Sequence, residues 1–284
     1  MNDGPVLNVP PQRWLRKLKV APGFWKTQLP TKHLELAARG DLEGLRALLA
    51  AQPEFLNKPG AQNRTLLWEA ARKGRLDVVQ WLVERGAEID PTGCYNGETM
   101  VQVTPYVAAV YYRRPRVAAY LLEKGARLDV FRAAFLGEQA RVEQELAARP
   151  ELLAVEDPLD WTYHMPLVAF AVAGADLSLT RLLLERGAEV APYSTLLLLL
   201  AAKVGRLDLA ELLLAHGAEA RAVDGGTFGV GNDLAVLEYL LQHGASATHP
   251  GVNGQTPLQY VTRADKARRP DKVRLLIQYG AVPN

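Results

Sequence analysis

The sequence has little of what secreted domains and membrane proteins require. Among its 284 residues there is one cysteine, Cys94, so no disulfide can form within the chain, and we expect a reducing, cytoplasmic environment. No uninterrupted apolar run is longer than the seven residues of 196–202, whereas a membrane-spanning helix needs about 20. The first residues include Pro5, Pro10 and Pro11 but no apolar segment of the kind found in a signal peptide. We therefore expect neither secretion nor a membrane span.

The motifs of common catalytic sites are also absent from the sequence. It contains no His-Glu-x-x-His, no phosphate-binding loop ending in Gly-Lys-Ser/Thr and no Gly-x-Ser-x-Gly. The glycine-rich segment 225–231 has the wrong glycine spacing for a nucleotide-binding loop, and we interpret it as an irregular repeat. Asp160, Tyr163 and His164 have side chains suited to acid–base chemistry, but we interpret them as residues of a connection. We expect no catalysis, no cofactor and no metal.

A repeated pattern dominates what the sequence does contain. A glycine–alanine pair recurs along it, at Gly86-Ala87, Gly125-Ala126, Gly187-Ala188, Gly217-Ala218, Gly244-Ala245 and Gly280-Ala281. The spacing averages about 32 residues when the long interval before Gly187 is counted as two steps. A regular period of this size is typical of stacked repeats, in which each unit contacts only its neighbours.

The residues around each pair predict two short helices per repeat. The fullest copy spans 64–87, and 195–218 repeats it. Thr104-Pro105 is a favourable helix start, because the fixed φ of proline suits the first turn. Gly74 lies where the first helix ends and a left-handed residue is needed.

This pattern resembles the ankyrin repeat, whose units begin with Gly-x-Thr-Pro-Leu, continue with Ala-Ala-x-x-Gly and end with Val-x-x-Leu-Leu-x-x-Gly-Ala. The resemblance covers residues 31–284. It implies an all-α repeat solenoid of about eight helix–turn–helix units, with β-hairpin or turn fingers between them. We expect this ankyrin repeat domain to span 32–284, after a basic N-terminal arm or cap formed by 1–31.

Three repeats depart from the pattern, near 32–60, 127–158 and 220–246. In the first and fourth units we expect a longer turn after the second helix. In the seventh we expect a short or irregular first helix. The finger at 91–103 is longer than the others and contains an Asn-Gly pair, which is typical of hairpin turns.

The resemblance also implies where a partner binds, because the fingers and inner helices of ankyrin-like folds form a concave binding face. Aromatic and arginine side chains occupy several of these positions. We predict that the contact residues are Tyr95, Tyr111, Tyr112, Arg113, Arg132, Trp161, Tyr163 and Tyr193. Tyrosine and tryptophan bury a large area at low entropic cost and are enriched at binding hot spots. The alternative is that some of these rings fill gaps between irregular repeats.

Basic residues are concentrated near both ends of the chain. Segment 1–32 has six basic residues and one acidic residue, segment 263–274 has six and two, and the whole chain has a formal net charge of +2. The apolar residues Trp14, Leu15 and Leu18 in the first segment predict either an end cap or a recognition arm. No nucleic-acid-binding motif accompanies the charge, so we do not expect a nucleic acid as partner.

The sequence therefore favours recognition of another protein by a monomer that catalyses nothing itself. Two alternatives stay open at this stage. One is an enzyme or small-ligand-binding protein whose site lies between the 91–103 finger and the 160–164 connection. The other is a dedicated inhibitor or immunity-type protein with one tight partner. The residues do not identify the partner or the process it belongs to.

Overall fold

The computed structural model describes residues 32–91, 95–96, 101–158, 164–231, 233–250, 254–264 and 269–283. The chain forms two compact units. Of the described residues, 32–158 and 165–188 belong to the N-terminal unit, and His164 and 189–283 belong to the C-terminal unit. The predicted arm at 1–31 lies outside the described residues.

The described residues of the N-terminal unit form five helix pairs. Their bounds are α1 Lys32–Arg39, α2 Leu42–Ala51, α3 Leu66–Lys73, α4 Leu76–Glu84, α5 Pro105–Tyr111, α6 Pro115–Glu123, α7 Val130–Phe135, α8 Gln139–Ala148, α9 Leu167–Ala173 and α10 Leu177–Glu185. An antiparallel pair of strands, β1 Tyr95–Asn96 and β2 Val101–Gln102, precedes α5. The 3₁₀ helices Pro53–Leu56 and Pro150–Leu153 follow α2 and α8, which confirms the longer turns predicted for the first and fourth units.

The described residues of the C-terminal unit form three further pairs. Their bounds are α11 Ser194–Val204, α12 Leu207–Ala215, α13 Gly225–Val230, α14 Leu234–Gln242, α15 Pro257–Ala264 and α16 Arg269–Gln278. Helix α13 has only six residues, so the first helix of the seventh unit is short, as predicted. The described chain thus contains eight helix pairs, and the predicted all-α repeat architecture is confirmed.

Capping side chains determine where the first helices of several repeats begin. The hydroxyl of Thr65 accepts a hydrogen bond from the Trp68 amide at 3.2 Å, and the Asp129 carboxylate accepts one from the Arg132 amide at 2.9 Å. These amides have no partner inside the helix, so each cap removes an unsatisfied donor. Pro105 occupies the first turn of α5, where its missing N–H costs nothing.

Small residues let the first helices of neighbouring repeats approach closely. In the N-terminal unit α1, α3 and α5 pack in series and α7 packs on α9, and in the C-terminal unit α11, α13 and α15 pack in series. Ala70, Ala71, Ala109 and Ala134 lie at these contacts and are fully buried. Because one helix pair cannot bury its own apolar face, each unit has a core that neighbouring repeats share.

The turn between the two helices of a repeat requires a left-handed residue. Gly74, Gly137 and Gly205 supply it with φ values of 73°, 74° and 73°. In the third and fifth repeats the same position is taken by Arg113 and Ala175, with φ values of 57° and 58°. A side chain in this conformation carries strain that glycine avoids.

Glycine is required at position 174 for a different reason. It follows the last residue of α9 with an ordinary right-handed backbone, at φ −75°. A Cβ atom on Gly174 would lie 2.3 Å from the carbonyl oxygen of Phe135, the last residue of α7. The closeness of these two helix ends therefore excludes any side chain.

We expect Gly174→Ala to lower the free energy of unfolding by about 1–3 kcal/mol, because the added methyl group forces α7 and α9 apart. Ala175→Gly, one residue further on, is the matched change. It should leave stability equal or slightly higher, since glycine adopts the left-handed turn without strain. Urea unfolding of both variants, followed by circular dichroism, checks this expectation. Equal destabilisation by the two changes would contradict it.

His33 is a buried titratable group in α1. It has 4% of its surface exposed, and its ring meets that of Phe55 edge-on at a centroid distance of 4.8 Å. Burial lowers the pKa of His33 below its usual 6.5, and the charge of Lys58 lowers it further. The folded protein therefore favours the neutral imidazole.

The N-terminal unit should lose stability as the pH falls below 6.5, because the unfolded chain then protonates His33 more readily than the folded chain does. We expect His33→Asn to flatten the fall in unfolding free energy between about pH 7.5 and pH 5.5. Lys58→Met should flatten it less, since the lysine charge is the smaller of the two causes. Denaturant unfolding across this pH range measures the slope. An unchanged slope in His33→Asn would show that this histidine is not responsible.

Candidate partner-binding site

The finger before the third repeat is a short hairpin. Tyr95 pairs with Gln102 and Asn96 with Val101, which confirms the hairpin predicted for this segment. The turn at 97–100 lies outside the described residues. The described base of the finger leads directly into α5.

Arg132 holds this finger from the following repeat. Its Nε donates to the carbonyl oxygen of Gln102 at 3.0 Å, and its guanidinium forms an ion pair with Asp157 at 2.7 Å. The Asp129 carboxylate lies 3.5 Å from the same guanidinium, which sits over the Phe170 ring at 5.4 Å. The side chains of Arg132 and Asp157 are 3% and 1% exposed. Because Arg132 is buried, we leave it out of the proposed contact surface and assign it to positioning the finger.

Trp68 holds the same finger from the preceding repeat, at the residue that follows β2. Its indole N–H donates to the carbonyl oxygen of Val103 at 3.0 Å. Trp68 and Arg132 are both the third residue of a first helix, in α3 and α7. Equivalent positions in two repeats thus bind adjacent carbonyl groups of the finger between them.

The opposite end of α5 leads into a partly exposed aromatic pair, Tyr111 and Tyr112, which we call the tyrosine ridge. Tyr111 is 37% exposed, and its ring stacks on that of Phe135 at a centroid distance of 5.1 Å and an angle of 25°. The Tyr112 ring meets Tyr111 edge-on at 5.1 Å, and the Arg72 guanidinium lies 5.6 Å from the centre of the Tyr112 ring. Contacts from three consecutive repeats therefore fix the ridge in one orientation.

A buried carboxylate fixes Arg72 in turn. Glu69, 5% exposed, accepts hydrogen bonds from Arg64 at 2.9 Å and from Arg72 at 2.8 Å. Both guanidiniums also lie over the ring of Trp68, at 4.5 Å and 5.9 Å. The arginine that contacts Tyr112 is thus held by charge-assisted hydrogen bonds and not left to rotate freely.

One position of the repeat generates most of this surface. The residues two places before the left-handed turn residue form a column in the N-terminal unit: Ala38, Arg72, Tyr111, Phe135 and Ala173. Only the second, third and fourth repeats have large side chains there. Arg72 and Phe135 were not predicted from the sequence as part of the surface, although a comparison of this one position across the repeats indicates both.

The structure separates the predicted contact residues into two groups. Tyr95 is on the finger before α5, whereas Tyr111, Tyr112 and the exposed Arg113 are at the helix end next to the turn. A helix of this length spans about 10 Å. In the C-terminal unit, Tyr193 is half-buried in the 3₁₀ helix Ala191–Tyr193 before α11. Trp161 and Tyr163 lie outside the described residues.

The described part of the chain holds no group of three or more histidine, cysteine, aspartate or glutamate side chains placed to bind a metal ion. None of its helices has the length and apolar character that crossing a bilayer requires.

Asp157→Ala should lower the free energy of unfolding by about 3–5 kcal/mol, because it leaves the Arg132 charge buried and unpaired. The double variant Arg132→Met with Asp157→Leu should recover most of this loss, since it buries neither charge. Denaturant unfolding of the single and double variants checks the expectation. If the double variant is as unstable as Asp157→Ala, the ion pair is not the cause.

Comparisons with known proteins agree with this architecture. The family model described as "Ankyrin repeats (3 copies)" matches residues 34–132. The ankyrin repeat domain-containing protein SAT10 of Stachybotrys chartarum is 37% identical over 118 residues, which are 40% of this chain and 5% of that protein. The ankyrin repeat and KH domain-containing protein mask-1 of Caenorhabditis elegans is 25% identical over 236 residues, which are 77% of this chain and 8% of that protein.

Both relatives are thus far longer than the segment that they share with this chain. Among solved structures, the human ASB11 ankyrin repeat domain is 20% identical, with a TM-score of 0.34, 88% coverage of this chain and 98% coverage of that domain. The family model identifies residues 34–132 as ankyrin repeats, and the periodic motifs and stacked helix pairs of the other described residues are similar to that family.

Proposed function

We propose that this protein is a non-catalytic interaction module that binds another protein, with the tyrosine ridge as its main anchor. Ankyrin repeats are generally protein–protein interaction modules, which supports the class of function. The observation that carries the choice of surface is the fixed, partly exposed Tyr111, which stacks on Phe135. A side chain that is already ordered loses little entropy on binding, so more of its contact energy appears as affinity.

The charges beside the ridge indicate the chemistry of the partner. Arg113 and Arg116 are exposed and, among the described residues, have no carboxylate within 4.0 Å. A partner surface with an apolar side chain flanked by carboxylates would pack on the rings and pair with these arginines. The partner is thus proposed to present an acidic, partly apolar patch.

In the N-terminal unit, Tyr95 would extend this surface towards the finger. Trp161, Tyr163 and Tyr193 are proposed as further contact residues. The protein is proposed to act as a monomer in the cytoplasm, where its single cysteine, Cys94, would stay reduced.

Tyr111→Ala combined with Tyr112→Ala should weaken partner binding at least about tenfold. Truncating a hot-spot side chain to alanine typically costs about 2 kcal/mol or more of binding free energy. The melting temperature should change little, because both rings are partly exposed. Affinity capture from a lysate of the source cells, followed by calorimetry with the captured protein, measures the effect.

Tyr120→Ala is the matched control, because Tyr120 is a half-buried tyrosine on the second helix of the same repeat. It should leave binding unchanged. Equal retention of the partner by the wild type and the ridge variant would refute the proposed surface. A large loss of stability in the ridge variant would instead show that the rings belong to the core.

A further inference from the structure

A second surface of the N-terminal unit combines an apolar floor with two arginines. It is an open groove of about 490 Å³ between α2, the 3₁₀ helix Pro53–Leu56 and α4. Its main lining residues are Leu49, Pro53, Leu56, Trp81, Arg46 and Arg85. The groove belongs to second helices, whereas the tyrosine ridge belongs to a first helix, so the two surfaces are distinct.

Trp81 is the centre of the groove. The guanidinium of Arg85 lies 3.9 Å from the centre of its ring, and that of Arg46 lies 5.7 Å away. Trp81 is 7% exposed, and its indole N–H has no acceptor among the described residues. The equivalent group of Trp68 donates to Val103. Because this nitrogen is buried, the groups that a ligand in the groove would meet are the two guanidiniums beside the ring, and a carboxylate would pair with them.

Few carboxylates among the described residues lie close enough to compensate the charges of these two arginines. Arg46 lies 3.8 Å from Glu43, and both side chains are more than half exposed, at 52% and 92%. Arg85 has no carboxylate within 4.0 Å among the described residues, and its guanidinium donates only weakly to the Trp81 carbonyl at 3.4 Å. Exposed pairs of this kind contribute little, so the guanidiniums are available to a stronger acceptor.

We propose that this groove is a second docking site, for a peptide segment of a partner protein in which carboxylates alternate with leucine or an aromatic residue. Apolar side chains would cover Leu49, Pro53 and Leu56, while two carboxylates would pair with Arg46 and Arg85. Arginine favours such carboxylate partners because its planar donors match their geometry. The volume lies within the range of roughly 300–1,000 Å³ that is typical of ligand sites.

The charge of the groove argues against occupation by the chain's own N-terminal arm. Segment 1–31 has five basic residues and only one acidic residue, so two arginines in the groove would repel it. A basic partner segment is disfavoured for the same reason. A peptide with both acidic and apolar residues matches the apolar lining of the groove and the positive charges of Arg46 and Arg85.

The test uses the full chain and a panel of fluorescein-labelled heptapeptides in which glutamate alternates with leucine or phenylalanine. Matched peptides carry lysine in place of glutamate. Fluorescence anisotropy measures binding at low and at physiological salt. We expect the acidic peptides to bind, the lysine peptides not to bind, and the affinity to fall as salt screens the charges.

Arg46→Glu combined with Arg85→Glu should weaken acidic-peptide binding at least tenfold. Arg181→Glu, an exposed arginine on the second helix α10, is the matched control and should leave binding unchanged. The same comparison is made in a Tyr111→Ala, Tyr112→Ala background, which removes binding at the proposed ridge, and the charge reversal should still weaken the remaining peptide binding at least tenfold. The indole N–H resonance of Trp81, assigned with Trp81→Phe, should shift when the acidic peptide binds.

Three outcomes would overturn the proposal. The first is that no peptide of the panel binds, and the second is that charge reversal at Arg46 and Arg85 has no effect. The third concerns the N-terminal arm, tested in the full chain with Trp14→Ala, Leu15→Ala and Leu18→Ala together. If these changes tighten peptide binding, the arm itself occupies the groove.

Discussion

The buried guanidinium of Arg132 is the interaction on which the order of the central repeats depends. A charge removed from water is tolerated only when its donors are engaged, and its acceptors here come from three different segments. Asp129 belongs to its own helix cap, Gln102 to the preceding finger and Asp157 to the following connection. The fourth repeat has almost no finger of its own, and this arginine links its neighbours across it. The placement of these three segments is thereby fixed in the repeat where the sequence pattern is weakest.

Contacts between nearest neighbours also explain how a local surface arises in a repetitive fold. Stacking places equivalent positions of successive repeats side by side. Arg72, Tyr111 and Phe135 occupy the same position in three successive repeats. Large side chains at this position therefore form a continuous surface, while the core alanines stay the same. The fold supplies the spacing, and a few substituted side chains supply recognition. The groove around Trp81 arises in the same way, from second helices of adjacent repeats.

The repeat architecture could be predicted because its causes are local. Periodic glycines, threonine caps and proline at a helix start act within a few residues, so they show in the sequence. The role of Arg132 could not be predicted, because its partner Asp157 lies 25 positions later and only folding brings them together. Arginine side chains are also mostly exposed, so burial is expected only when a buried carboxylate partner is known. The left-handed conformation of Arg113 could not be predicted either, since glycine is the usual residue at this turn position.

The link through Arg132 has a dynamic consequence. Stacked repeats usually open one at a time, as small cooperative units whose amide protons exchange with solvent when they separate. Here the carbonyl of Gln102, the carboxylate of Asp129 and the connection at Asp157 are tied to the side chain of Arg132. Opening of the fourth repeat would release all three segments together. The finger, its neighbour and the next connection therefore form a single cooperative unit whose protection against amide exchange rises and falls as one.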